Sequence, residues 1–238
     1  MSAVAEQLSA RAAAARLLSL GLSAPDEETI GQAAALAAAL EPGAADAWRE
    51  ALAALREALE GADAAELALE FEEIFGGEVR VPPYEASYLR GAMQKTRAIA
   101  DIAGFYGAYG AAAEGSAGER PDHAGCQLEF LAFAFLRRLS AVESGDDEAA
   151  SVCLAAEDDF LRDHAGRWLG TFSAELEQAA PSPFYVALAG LARSFVGDEL
   201  ARRGIEAEPV EPRYRSRVEP ESFACGGCPA AEAPDETS

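Results

Sequence analysis

RPDHAGCQLEFLAFAFLRRLSAV, residues 120–142, decides the fold. Leu128, Leu131, Phe135, Leu139 and Val142 recur at spacings of three and four, the period of a helix face. Phe130 and Phe133 widen that stripe almost to the whole circumference, and a helix apolar nearly all round belongs at the centre of a molecule. Ahead of it stand a proline, an acid and one of only two histidines. Asp122 suits a helix N-cap, because a carboxylate accepts backbone N–H bonds that the first turn leaves free. Pro121 and His123 beside it keep two other readings open. One is a recognition edge; the other is an Asp–His acid–base pair, for which no nucleophile or metal set stands nearby.

Outward from this stretch the chain reads as helix after helix, rich in alanine and leucine and without the alternation that marks strands. Helices are expected over about 3–20, 26–40, 44–60, 63–75, 90–109, 122–142, 146–162 and 182–203. Pro42-Gly43, Gly61 and Asp63 punctuate them. GGEVRVPPYEASYL, 76–89, cannot be helical throughout, since two glycines and two adjacent prolines break it. GAAAEGSAGERP, 110–121, reads as a flexible connection and the place for a hinge. In FLRDHAGRWLGTFSAEL, Phe160, His164, Trp168 and Phe172 fall at intervals of four on one face, which makes His164 a packed core residue. Two regions result: an all-α helical domain over 1–203 and an extended or disordered acidic, proline-rich tail over 204–238.

Half the 238 residues are hydrophobic, enough for a core. No apolar stretch is long enough to span a bilayer, so no membrane insertion is expected. The first twenty residues lack a basic start and are interrupted by Glu6, Arg11 and Arg16, which argues against a signal peptide and for the cytoplasm. Net charge is −22, from 41 acids against 19 bases. A nucleic acid would be repelled over most of such a surface, while a basic peptide would be attracted.

Cys225-Gly-Gly-Cys228 has the spacing that lets two sulfurs reach one metal. Structural zinc or an iron–sulfur cluster needs about four ligands, and nothing nearby completes the set. A second subunit or a client could close it, and a redox dithiol is the other chemistry open to it. Cys126 and Cys153 lie inside expected helices. Tyr84, Ser87 and Tyr88, after the double proline, suit either a packed loop or a groove wall. No phosphate loop, Ser-His-Asp set or pair of catalytic carboxylates stands out, so no enzyme is expected.

Three stretches together resemble the TorD-like redox-enzyme maturation chaperones, the group of dimethyl sulfoxide reductase and nitrate reductase assembly chaperones. PPYEASYL is similar to the family's Tyr-x-Ser-x-Tyr loop, Pro121-Asp122-His123 with Glu129 to its helix opening, and FLRDHAGRWLGTF to its Phe-x3-His-x3-Trp segment. The resemblance implies a single helical bundle and a cytoplasmic chaperone. Such a chaperone binds the apo catalytic subunit of a molybdopterin oxidoreductase, often by its twin-arginine signal peptide, and holds it for cofactor insertion. It further implies that Tyr84, Ser87, Tyr88, Pro121, Asp122 and His123 line the client groove. Gln127 stands where the family has glutamate, and CGGC is not a family feature.

A signal peptide offers arginines followed by an apolar helix, so its binder needs apolar walls and flanking carboxylates. Asp122, Glu129 and Glu85 are the expected carboxylates. If they are, removing Asp122 and His123 weakens peptide binding and leaves melting nearly unchanged. The chain is expected to be a monomer, or a dimer that exchanges helices across 110–121.

Overall fold

A computed structural model describes residues 2–40, 43–76, 79–111 and 119–210. Among these residues ten α-helices and one π-turn follow in order: α1 Ala3–Gly21, α2 Glu27–Leu40, α3 Asp46–Glu60, α4 Ala64–Phe75, α5 Glu85–Tyr88, α6 Ala92–Ala108, α7 Ala124–Ser144, α8 Asp147–Phe160, the π-turn Leu161–Ala165, α9 Gly166–Ala179 and α10 Pro183–Arg203. Among the described residues there is no strand, only one isolated bridge, and no helix is long and apolar enough to cross a membrane.

Local chemistry sets most boundaries. Ser2 caps α1 by accepting from Ala5 N at 3.2 Å, and Asp63 caps α4 by accepting from Ala65 N and Glu66 N. Gly145 and Gly204 end α7 and α10 at φ 73° and 63°, a conformation that glycine adopts without steric cost.

One core joins every long helix. α1 packs most extensively on α7, while α10 is flanked by α3 and α9. Leu128, Phe130, Leu131 and Phe135 of α7 are buried, as the stripe predicts. The second half of α7 emerges instead. Leu136 is 51% exposed, and Phe133 is half-buried with the Arg137 guanidinium 5.8 Å over its ring. Burial nearly all round is therefore confined to the stretch before Leu136, where only Glu129 and Phe133 are half-buried.

Phe160, His164, Trp168 and Phe172 are all buried. In an α-helix a four-residue spacing drifts about 40° per step. The wider π-turn at Leu161–Ala165 takes up part of that drift and keeps the four rings on the core side. Gly166 accommodates the turn, since a Cβ there would collide with the Leu161 carbonyl.

Four helices are also joined by buried charge. Arg203 donates to Glu199 at 2.9 Å, Asp158 at 2.6 Å and Glu157 at 2.8 Å. Arg138 reaches Glu157 at 3.2 Å, and Arg11 pairs with Glu199 and, at 3.0 Å, with Asp198. α1, α7, α8 and α10 thus meet at one ionic node.

The packed body extends beyond Arg203, where the sequence suggests an extended tail to begin. Val210 is buried; its N–H donates to Arg167 O at 2.9 Å, and its carbonyl accepts from Thr171 Oγ1 at 3.2 Å. Cys225, Cys228 and most of the expected hinge lie outside the described residues.

Candidate functional site

The Pro121-Asp122-His123 corner is built by two segments that clasp each other. Glu85 N donates to Asp122 O at 2.9 Å and Ala124 N to Pro83 O at 2.8 Å, which pairs Tyr84 with His123 as an antiparallel bridge. Residues 82–83 lie outside any helix, as two adjacent prolines favour. Tyr106 OH donates to Pro121 O at 2.8 Å from the α6 side.

The capping roles differ from the sequence expectation. His123, not Asp122, caps α7: its Nδ1 accepts from Gly125 N at 3.1 Å. Asp122 reaches across to α5 and accepts from Ala86 N at 3.1 Å, while Arg120 donates to both of its oxygens at 3.0 and 2.8 Å. Capping by His123 requires an unprotonated Nδ1. Burial lowers the imidazole below its ordinary pKa of 6.5, outweighing the opposing charges of Glu119 and Asp122. As pH falls through 6.5, the unfolded histidine takes up a proton that the folded one refuses, so stability present above that pH is lost below it. Denaturation midpoints should fall between about pH 7 and pH 5.5, and His123→Asn, which caps without titrating, should flatten that slope.

Beneath the corner lies a polar line inside the core. Gln127 Nε2 donates to Glu85 Oε2 at 2.7 Å, and Gln127 Oε1 accepts from Trp168 Nε1 at 3.0 Å. His164 Nδ1 lies 3.2 Å from Glu85 Oε1, and Tyr88 OH donates to Glu175 at 3.0 Å. Nearer the surface, Tyr84 OH donates to Glu119 at 2.8 Å, with the Arg120 guanidinium 4.6 Å over its ring. Burial, then the hydrogen bond to Glu119 and its charge, push the Tyr84 phenol up to about 12.

The expected peptide-contacting residues therefore divide. Asp122 and Glu85 are 0% and 1% exposed, and Tyr88 and His123 are also buried. Their polar groups are engaged within the fold, with α5, α7 and α9. Tyr84, Ser87, Pro121 and Glu129 are half-buried, and Glu129 is ion-paired with Arg16 at 2.7 Å. Removing Asp122 and His123 together was expected to leave melting nearly unchanged, but their burial and hydrogen bonds predict a loss of stability. Asp122→Ala leaves Ala86 N buried without its acceptor, at a cost of about 1–3 kcal/mol. Urea denaturation will read this directly.

Cys126 and Cys153 are free thiols in helices. Burial raises both, Cys126 to about 11, so neither is poised as a nucleophile. Among the described residues no group of three or more His, Cys, Asp or Glu is arranged to hold a metal.

A surface with the chemistry that a cationic, apolar segment needs lies elsewhere. A groove of about 690 Å³ runs between α3, the first half of α4 and the start of α10. Ala54, Ala58, Leu67, Pro183, Phe184 and Ala187 supply its apolar walls, Glu57, Asp63, Glu66 and Glu70 its charge; no basic residue lines it. α3 ends at Gly61 and α4 starts at its Asp63 cap, so a tight turn closes one end. Glu70 is buried and accepts from Ser182 N at 3.0 Å, which ties α4 to the start of α10. Glu57 and Glu66 face solvent, and Leu69, 75% exposed, lies on the outer side of α4. Sequence reading missed this groove because its walls are more than a hundred residues apart. The available signal was the set of acids at 57, 63, 66 and 70, which reads equally well as a solvated face.

The family model of the nitrate reductase delta subunit matches residues 41–174. The chaperone protein TorD of Vibrio cholerae serotype O1 (strain ATCC 39315 / El Tor Inaba N16961) is 29% identical over 133 residues, 55% of this chain and 59% of TorD. The match thus spans about three fifths of that relative's length. A solved structure from Archaeoglobus fulgidus, assigned as a redox enzyme maturation protein, superposes with a TM-score of 0.53 at 25% identity, covering 83% of this chain and 96% of the other.

Proposed function

The chain belongs to the nitrate reductase delta subunit family, and on that premise we propose that it is a TorD-like maturation chaperone without turnover of its own. It acts in the cytoplasm on the apo catalytic subunit of a molybdopterin oxidoreductase. It binds a cationic, apolar segment of that client, its signal peptide where the client is exported, and releases it after cofactor insertion.

The observation that carries this reading is the groove between α3, α4 and α10, apolar in its walls and acidic along its rim. An amphipathic helix lays its apolar face into such a groove, and guanidinium groups find carboxylates at the edge, where charge-assisted bonds are strongest. The chain's net charge of −22 steers a basic segment towards it, an effect that salt weakens. The corner's part in binding narrows to Tyr84, Ser87 and Pro121, which keep solvent-facing surface; Glu85, Asp122 and His123 hold the loop that presents them.

Calorimetric titration with a peptide bearing two arginines ahead of an apolar helix tests the proposal. Glu57→Lys with Glu66→Lys should weaken binding about tenfold or more, roughly 1.4 kcal/mol, while Tm stays unchanged because both side chains face solvent. Equal affinity in the two proteins rejects the groove as the binding surface.

A further inference from the structure

We propose that the chain carries its own competitor for this groove: the segment Arg213-Tyr214-Arg215-Ser216-Arg217-Val218 seats there until a client displaces it. The inference rests on the groove being the client-receiving surface, and it adds a regulation of that surface.

Charge is the first ground. The chain has only 19 bases against 41 acids, yet three arginines fall within residues 213–217, and no other five-residue window holds three bases. Tyr214 and Val218 put apolar side chains among and after them. Guanidinium groups interleaved with apolar ones match the groove, whose lining includes Glu57, Asp63, Glu66 and Glu70 and no base.

The path of the chain is the second ground. Segment 213–218 lies outside the described residues, but the residues leading to it are fixed. Arg167 Nε donates to Glu208 O at 3.1 Å, Val210 N donates to Arg167 O at 2.9 Å, and Thr171 Oγ1 donates to Val210 O at 3.2 Å. Between Glu208 and Val210 the chain thus moves along α9 towards that helix's C-terminal end. That end passes through Ala180 into Ser182 and Pro183, which form a wall of the groove. From Thr171 to Ala179 the rise is about 12 Å. Arg213 to Arg217 lie three to seven residues past Val210, a span of roughly 10–24 Å for extended chain. The arginines come within range of the groove, held near it at the high effective concentration of a short tether.

A segment that occupies the groove part of the time reduces the apparent affinity of any other ligand by the fraction of molecules left open. Such a tail keeps weakly matching basic segments out and yields to a client that brings a longer apolar helix.

Two measurements on the full chain test this. In the first, Arg213→Glu, Arg215→Glu and Arg217→Glu are combined, and the two-arginine peptide is titrated into both proteins. The variant should bind roughly three- to tenfold more tightly, with the difference shrinking as salt rises. In the second, a photo-crosslinking amino acid replaces Tyr214. Its products should map within the same chain to residues 54–70 or 182–187. Crosslinks to other regions, or none, overturn the proposal; crosslinks joining two differently labelled chains overturn its intramolecular form. If the peptide binds neither protein, the client reading fails, while the crosslink still decides where the tail sits.

Discussion

Arg203→Ala should lower folding stability by about 3–5 kcal/mol, the range for removing one partner from a buried ionic cluster. The guanidinium is 4% exposed and donates through all three of its nitrogens, to Glu199, Asp158 and Glu157. Burial alone would pull its pKa down, but the carboxylates of Glu199, Asp158 and Glu157 outweigh it and the net direction is up. Alanine leaves Glu157 and Glu199, both fully buried, facing each other's charge with fewer cations. Arg138, Arg11 and Arg202 remain as partners, which is why the upper end of the range is the limit. At about 2–4 °C per kcal/mol for a protein of this size, Tm should fall by roughly 6–20 °C. Arg203→Lys should recover little, since one ammonium cannot span three carboxylates on two helices. By contrast, the exposed Arg49–Asp46 pair on α3 should change stability hardly at all.

Gln127→Leu is the second large effect, expected at about 3–5 kcal/mol from two buried polar groups left without partners. Leucine has similar bulk, so little of this comes from a cavity. It removes the donor to Glu85 and the acceptor of the Trp168 indole N–H together. The Gln127→Glu variant should behave differently. Two carboxyl groups at the observed 2.7 Å contact must share a proton. The folded variant holds a proton that the unfolded chain releases above about pH 4.3, so its stability should decline as pH rises past that value. Urea denaturation at acid and neutral pH separates the two variants. An amide at 127 is thus a working part of this core: it donates to one neighbour and accepts from the other at every pH.

Helix positions were legible because their ends are written in local chemistry. Asp63, Gly61, Gly145 and Gly204 each mark an end that the backbone requires, and the observed bounds fall within a few residues of those expected. The three-four spacing of Leu128, Leu131 and Phe135 placed α7 at the centre correctly, yet could not show that Leu136 emerges, because periodicity does not report how far a neighbouring helix extends. The π-turn was invisible for a related reason: LRDHA is an ordinary helical sequence, and only packing of the rings on either side selects the wider turn.

The site was less legible. The recognition reading put Asp122 and His123 at a surface because both are polar and stand at a helix start. Their burial follows from the Pro82-Pro83 loop folding over them, a contact between segments nearly forty residues apart. The carboxylates expected to await arginines from a client are already held by Arg120, by Arg16, or by Gln127 and His164. The groove that offers uncommitted space depends on α10 returning beside α3 and α4, which no local pattern encodes.

Hydrogen exchange on the complex with the two-arginine peptide tests the central claim most directly. Protection should rise in residues 54–70 and 182–187 and stay unchanged in 120–127. Protection concentrated in 84–88 and 119–123, with the α3–α4–α10 groove exchanging as in the free protein, would contradict it.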